Sequence, residues 1–282
     1  MNIAAQAQKA EQLRKLHRGP RILVLANAWD VASARIVEEL GYPAIATTSA
    51  GVAAALGYPD GQYISRDEML DVVARIAAAV RVPVTADFES GYGTTVEHMA
   101  DTARALVSAG AVGLNFEDIT GHDERSLVEL GLQVKKIQTL REVSTALGVP
   151  LVINARTDVY LMPIGPAETR YDRTVERLRA YRQAGADCVF APGLTDRDTI
   201  ARLVKAVDAP LNILANATAP SIPELEKLGV ARVSTGSGLM RAALGHARRV
   251  AKALVESGTY SALLDGAVPF AEVEQLMSRK NA

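Results

Sequence analysis

The sequence predicts a single (β/α)₈ TIM barrel, in which each of eight parallel strands is followed by a helix. Its 282 residues suit this fold, which runs to roughly 250 residues as one domain. Eight short apolar runs alternate with amphipathic helical stretches along the chain. Hydrophobic residues make up 49% and aromatic ones only 5%, so small aliphatic side chains must fill the core, as in parallel strands covered by helices. The alternative is an open doubly wound sheet, but eight successive units favour closure.

The eight apolar runs have the character of strands. They are short, rich in Val, Ile and Leu, and bounded by turn-forming residues. Pro83, Pro150 and Pro210 begin three of them, and the first residue of a strand tolerates proline. The predicted strands are 21–27, 44–50, 83–89, 112–118, 150–157, 188–192, 210–215 and 232–237.

Helical patterns occupy the intervals between these strands, and glycines such as Gly110 and Gly148 follow them as C-caps. A polar helix precedes the first strand, and another helix, 268–280, follows the eighth barrel helix. We therefore expect one domain over 1–282, with the barrel at about 21–258 and a C-terminal helical extension at about 259–282. The extra helix is expected to cap one end of the barrel or to pack on a neighbouring subunit. The remaining predicted helices are 66–80, 95–109, 127–147, 168–184, 196–207, 221–228 and 238–256.

Composition excludes several classes of function. The net charge of −1 gives no electrostatic basis for binding nucleic acid or an anionic membrane. Cys188 is the only cysteine, which excludes an intrachain disulfide and a multi-cysteine metal site. No apolar run approaches the roughly 20 residues that span a bilayer, and the N-terminus lacks the apolar core of a signal peptide. We expect a cytoplasmic protein.

Acidic residues collect where the third and fourth predicted strands end. Asp87 and Glu89 are two apart, so on a strand they would point to the same side, and Glu117 ends the neighbouring strand. In a barrel these carboxyl ends form the active-site face. Three converging carboxylates repel one another unless a cation or protons neutralise them, and an all-oxygen ligand set suits Mg²⁺ or Mn²⁺. The alternative is that these acids form salt bridges or cap the next helix.

The positions of the basic side chains disfavour one reaction mechanism and indicate one substrate contact. Every lysine falls in a predicted helix, which disfavours a Schiff-base mechanism, and no histidine ends a strand. Arg156 ends the fifth strand and is placed to clamp a substrate carboxylate or phosphoryl group, or to neutralise Glu117. Arg21 and Arg232 begin their strands and are expected to face the other end of the barrel.

Six motifs, in their order and spacing, resemble the isocitrate lyase/phosphoenolpyruvate mutase superfamily over nearly the whole chain. They are NAWDVASA at 27–34, TTSAG at 47–51, GYPDG at 57–61, ADFESGYG at 86–93, NFED at 115–118 and ARTD at 155–158. The resemblance implies a (β/α)₈ barrel that forms or cleaves C–C or P–C bonds next to pyruvate through an enolate. It also implies a homo-oligomer, a tetramer or dimer, in which a C-terminal helix is exchanged between subunits.

The resemblance implies specific roles for residues of the site. Asp87 would hold Mg²⁺ directly, with Mn²⁺ as a substitute, while Glu89 and Glu117 would act largely through water. Asp60 would contact the metal's waters or the substrate from a mobile loop. Arg156 would hold one end of the substrate. Groups around Thr48, Ser49 and Ala50 would bind its oxo-acid oxygens.

One segment departs from the family pattern. The loop after Glu117, 119–127, reads ITGHDERSL and lacks both the cysteine motif of the isocitrate and methylisocitrate lyases and the Lys-x-Asn-Ser motif of the phosphonopyruvate mutases. His122 in this loop is a candidate acid or base, or else a surface residue. Cys188 begins a strand and is interpreted as core. Asn212 and Asn216, around the end of the seventh strand, either contact substrate or cap a loop.

Three functions remain open. The first is a Mg²⁺-dependent lyase or decarboxylase acting on an oxaloacetate-like α-oxo dicarboxylate, because loss of CO₂ needs no cysteine base. The second is P–C chemistry, by a phosphonomutase or a phosphonopyruvate hydrolase. The third is a non-catalytic oxo-acid binder that keeps the acidic site.

Overall fold

The computed structural model describes residues 2–119 and 126–278, and its strands form one closed parallel barrel. The first predicted strand is interrupted at Ala26, and its two halves pair with different neighbours, one with the last strand and one with the next. These two pairings close the sheet on itself, so the predicted barrel is confirmed. The strands are β1 (Leu23–Leu25), β2 (Asn27–Ala28), β3 (Ile45–Thr47), β4 (Val84–Asp87), β5 (Gly113–Glu117), β6 (Val152–Arg156), β7 (Cys188–Phe190), β8 (Leu211–Leu214) and β9 (Arg232–Ser234).

Helices surround the barrel, and short polar side chains begin many of them. Ser65 and Glu68 form a reciprocal capping box, as do Ser221 and Glu224, which satisfies backbone N–H groups that a helix start leaves without partners. The helices are α1 (Ile3–Leu16), α2 (Val31–Glu39), α3 (Ser49–Ala55), α4 (Arg66–Ala79), α5 (Val96–Ser108), α6 (Leu130–Ala146), α7 (Arg170–Gln183), α8 (Arg197–Val207), α9 (Ile222–Lys227), α10 (Gly238–Ser257), α11 (Ser261–Leu264) and α12 (Phe270–Ser278).

Helix α1 covers the amino-terminal end of the barrel. Its buried face includes Leu13, and Gln6 Nε2 donates to the carbonyl oxygen of Val107 at 2.9 Å. Arg14 Nε donates to Asp187 Oδ1 at 2.8 Å. Because this end is closed, the open end lies at the carboxyl ends of the strands, where barrel enzymes place their sites.

Polar side chains occupy the inside of the barrel. Asn115 Oδ1 accepts from Asn154 Nδ2 at 2.6 Å and from Arg232 Nη2 at 3.2 Å, and Asn212 Nδ2 donates to Ser234 Oγ at 3.1 Å. Arg232 is fully buried. Its Nη1 faces His17 Nε2 of the covering helix at 3.5 Å, so it lies toward the amino-terminal end as expected, while its side chain also reaches Asn115 inside the barrel.

The C-terminal helices carry much exposed apolar surface. Of α10, only Met240 is buried, whereas Val255 is 87% exposed. Helix α12 packs on α2 of the same chain, where Arg35 Nη1 donates to the carbonyl oxygens of Leu276 and Met277, each at 2.6 Å. Across the described ranges, the helices include none with the length and apolar character needed to cross a bilayer.

Candidate active site

The last residues of three neighbouring strands meet at the open end of the barrel. Strand β4 ends at Asp87, β5 at Glu117 and β6 at Arg156. In the parallel registers Asp87 lies opposite Asn115, and Glu117 lies opposite Arg156. The structure therefore brings together the acidic and basic side chains that the sequence places at these strand ends.

Asp87 is held by the amino-terminal end of α3. Its Oδ2 accepts from the backbone N of Ser49 at 2.9 Å and from Ser49 Oγ at 2.8 Å. Its Oδ1 lies 3.4 Å from Asn115 Nδ2. Thr48 is the N-cap of α3 and is buried with Ser49, and Ala50 follows in the first turn. These donors fix a carboxylate at a helix start, where the helix dipole favours negative charge. Contacts of 48–50 with a substrate stay a prediction.

Glu89 reaches the site by a different route from the one expected. Strand β4 ends at Asp87, and Glu89 follows it with a left-handed backbone (φ 49°), so the two carboxylates do not share a strand face. Glu89 is nevertheless buried, and Tyr92 Oη donates to its Oε1 at 3.0 Å. Burial, together with the charges of Asp87 and Asp60, raises the pKa of Glu89 to about 8.

Arg156 is engaged by two carboxylates. Its Nη1 lies 2.8 Å from Glu117 Oε2, and its Nε and Nη2 donate to the two oxygens of Asp158 at 2.6 and 2.8 Å. Burial raises the pKa of Glu117, as do the charges of Asp158 and Asp87, while Arg156 opposes the shift. Arg156 thus pairs with Glu117, which was one of the two roles predicted for it. Its contact with a substrate stays a prediction.

A cavity of about 290 Å³ opens above these residues. Asp60 reaches it from the loop before α4, and desolvation and the charge of Asp87 raise the pKa of Asp60. Tyr63, Leu161 and Met162 give the cavity an apolar side. Its full lining is Asp60, Gly61, Gln62, Tyr63, Glu89, Glu117, Ile119, Arg156, Asp158, Leu161 and Met162.

Three other candidates do not reach this cavity or cannot be placed there. Asn212 lies inside the barrel, fully buried, rather than at the end of its strand, so its predicted position is wrong. Asn216 is exposed, and its Oδ1 accepts from the backbone N of Thr218 and Ala219, each at 2.9 Å, which is the loop-capping alternative. His122 lies outside the described residues. Cys188 is buried in the core, as expected.

Sequence reasoning missed three residues that hold the site. Asp158 orients Arg156, and its position two residues further on was a usable signal, since it closes the ARTD motif. Tyr92 can donate a hydrogen bond to Glu89 because the chain turns between the two residues. Gln62 Nε2 donates to Ser90 Oγ at 2.7 Å, and its Oε1 accepts from the backbone N of Tyr92 at 2.9 Å. These bonds tie the loop that carries Asp60 to the loop after β4.

Carboxylates outnumber cations around the cavity. In the described part of the chain Arg156 is the cationic side chain that lines it, whereas Asp60, Glu89, Glu117 and Asp158 all line it, and Asp87 lies outside the lining but close enough to raise the pKa of Glu89. No three Asp, Glu, His or Cys side chains in 2–119 and 126–278 are grouped so as to ligate one metal ion together. Mg²⁺ usually keeps several waters and binds one or two carboxylates, so this all-oxygen, charge-rich set fits such an ion.

Comparisons with known proteins identify the family of the chain. Residues 13–255 match the family model described as phosphoenolpyruvate phosphomutase. An oxaloacetate decarboxylase from Bradyrhizobium diazoefficiens is 30% identical, over 93% of this chain and 87% of its own. A 2-methylisocitrate lyase from Escherichia coli is also 30% identical, over 82% and 79%.

A solved structure gives the same result. A Burkholderia cenocepacia protein with a provisional lyase/mutase assignment superposes with a TM-score of 0.91 at 39% identity, covering 99% of this chain and 98% of that one. The chain therefore belongs to the phosphoenolpyruvate phosphomutase family, within the isocitrate lyase/phosphoenolpyruvate mutase superfamily.

Proposed function

We propose that the chain cleaves the C–C bond next to a pyruvate-like α-oxo acid in a cation-dependent reaction, with an oxaloacetate-like dicarboxylate as substrate and CO₂ as a product. The observation that carries the proposal is the group of carboxylates around a small cavity whose described lining holds only one cationic side chain, Arg156. Relatives named oxaloacetate decarboxylase and 2-methylisocitrate lyase support this class of reaction.

Mg²⁺, with Mn²⁺ as a substitute, is the proposed cofactor. We propose Asp87 as its direct ligand, with Glu89 and Glu117 acting through water. A phosphonopyruvate hydrolase crystallised with oxalate and Mg²⁺ has the same fold, with a TM-score of 0.83 at 24% identity over 95% and 94% of the two chains. When bound, the ion would stabilise the negative charge that develops on the ketone and carboxylate oxygens.

The chain's own side chains would orient the substrate and move the proton. Ser49 holds Asp87, and the backbone and hydroxyl groups of 48–50 would bind oxo-acid oxygens. Arg156, fixed by Asp158, would contact the other end of the substrate. Loss of CO₂ leaves an enolate whose carbon must regain a proton, and Asp60 is suited to supply it because its pKa is raised. His122 is a second candidate for this proton.

The test is metal-dependent release of pyruvate from oxaloacetate, substituted malates and acylpyruvates. Free divalent ions decarboxylate oxaloacetate slowly, so the Asp87→Ala variant at the same metal concentration serves as the control. We expect turnover with Mg²⁺ or Mn²⁺ that chelation removes and that Asp87→Ala lacks. No turnover above this control on any member of the panel contradicts the proposal.

P–C bond chemistry is the second candidate, because the matching family model is described as a phosphoenolpyruvate phosphomutase. Phosphorus NMR with phosphonopyruvate or carboxyphosphonoenolpyruvate separates it from C–C cleavage. Tight binding of oxalate by calorimetry, without turnover in either assay, would instead identify a non-catalytic oxo-acid binder.

A further inference from the structure

Arg232 is a charged side chain in the middle of the barrel. It is fully buried, and the described residues place no Asp or Glu within salt-bridge distance of it. Its Nη1 faces His17 Nε2 at 3.5 Å, and its Nε has no hydrogen-bond partner among residues 2–119 and 126–278. Arginine stays protonated inside proteins, so the barrel encloses a positive charge.

The groups next to this guanidinium are neutral. His17 Nδ1 bonds the carbonyl oxygen of Leu13 at 2.8 Å, which leaves the lone pair of Nε2 toward Arg232. Burial, and then the charge of Arg232, lowers the pKa of His17 to about 4. Burial raises the pKa of the Cys188 thiol to about 12. Burial lowers the pKa of Arg232, and among the described residues the carboxylate whose charge opposes this shift is Asp87, across the barrel.

Asn115 stands between Arg232 and Asp87 and connects them. Its Oδ1 accepts from Arg232 Nη2 at 3.2 Å and from Asn154 Nδ2 at 2.6 Å, so two donors fix the side of the amide that carries oxygen. Its Nδ2 must then face Asp87 Oδ1, at 3.4 Å. A flipped amide would direct its NH₂ group at two other donors.

We infer that Arg232 is a positioning residue for the acidic site: through Asn115 it orients a donor toward Asp87 and supplies a positive charge beneath it. Arg232 touches neither the cavity nor the reacting atoms, and its effect is transmitted through one amide. The link to catalysis rests on the proposed function, in which Asp87 holds the cation, whereas the coupling of the two charges does not.

The first test is kinetic. Outer groups that orient a metal-site residue typically contribute about 10- to 100-fold to activity, so we expect Arg232→Met to lower kcat by that factor, with a smaller change in KM. Arg232→Lys, which keeps a charge and a donor, should recover part of the loss. Asn115→Leu should lower kcat similarly, and the double variant Arg232→Met/Asn115→Leu should be no slower than the slower single variant. Additive losses would overturn the inference.

The second test needs no turnover. In the full-length protein, after chelation of divalent ions, Asp87→Asn should raise Tm more in the Arg232→Met background than in the wild type, because in the wild type the substitution also removes the attraction between Asp87 and Arg232. Equal changes in the two backgrounds would overturn the inference.

Arg141→Met is the control, since Arg141 pairs with Asp187 and donates to the carbonyl oxygens of Leu151 and Gly185 at the opposite end of the barrel. It should lower Tm while leaving kcat and the effect of Asp87→Asn unchanged. If no substrate turns over, the thermal comparison still decides the coupling, so failure of the proposed function is distinguishable.

Discussion

Asp158 holds the guanidinium of Arg156 through two parallel hydrogen bonds, from Nε at 2.6 Å and from Nη2 at 2.8 Å. A fork of this kind fixes both the position and the plane of an arginine. Glu117 occupies Nη1, so the group is oriented on two sides before any ligand arrives.

Asp158→Asn should release this orientation, because an amide offers one acceptor where the carboxylate offers two. We expect kcat/KM on the productive substrate to fall about 10- to 100-fold, by the same argument that applies to groups orienting a metal site. The free energy of unfolding should fall by about 3 kcal/mol, as for a broken buried ion pair. Steady-state kinetics and urea unfolding measure the two effects. Asp101→Asn, which removes the exposed pair with Arg104, should change neither, and an equal loss there would contradict the assignment.

Tyr92→Phe should shift the pH dependence of activity. The Tyr92 hydroxyl stabilises the ionised form of Glu89, whose pKa is about 8 with that bond in place, so its removal raises the pKa further. A hydrogen bond of about 1 kcal/mol corresponds to about 0.7 pH. The acidic limb of the pH–activity profile should therefore move to higher pH by about that amount. Tyr42→Phe, at the other end of the barrel, is the control. An unmoved acidic limb would show that ionisation of Glu89 does not limit the reaction.

His17 should make stability depend on pH in the acidic range. Its pKa is lowered from 6.5 to about 4 in the folded protein, so the unfolded chain takes up a proton more readily. The stabilisation is fully present above pH 6.5 and is lost as the pH falls toward 4. At about 1.4 kcal/mol per tenfold change this amounts to about 3 kcal/mol. Urea unfolding of the wild type and His17→Gln between pH 7 and pH 4 should converge by that amount, and parallel curves would contradict it.

The exposed apolar residues of the C-terminal helices predict self-association. Leu244 and Val255 are 57% and 87% exposed on α10, and Leu264 and Phe270 are 73% and 81% exposed beyond it. Large apolar patches of this kind mark interaction surfaces. Light scattering at micromolar concentration should give a mass several times that of one chain, and Leu244→Glu/Val255→Glu should lower it without loss of secondary structure. A wild-type mass equal to one chain would sink the prediction.

The strand pattern of the sequence predicts much of the site. Asp87, Glu117 and Arg156 could be placed together because each ends an apolar run, and adjacent parallel strands bring their ends to one rim. The position of Glu89 could not be obtained this way, because β4 ends two residues earlier and a left-handed turn carries the side chain inward.

The strand pattern also did not predict which side chains fill the inside of the barrel. Alternation along a strand shows which residues share a face, but it does not show how far a long side chain extends. The backbone position of Arg232 predicts its place toward the amino-terminal end, but not that its guanidinium also reaches Asn115 inside the barrel. Asn212 was expected near the end of its strand, whereas it is the second residue of β8 and is fully buried.

Helix α1 covers the amino-terminal end of the barrel, and this position links the start of the chain to the acidic site at the opposite end. His17 faces Arg232, so a chain that began after His17 would expose that guanidinium to water, which would screen its field at the opposite end of the barrel. Deletion of the residues up to His17, which do not contact the substrate, would then change the response of the protein to divalent ions.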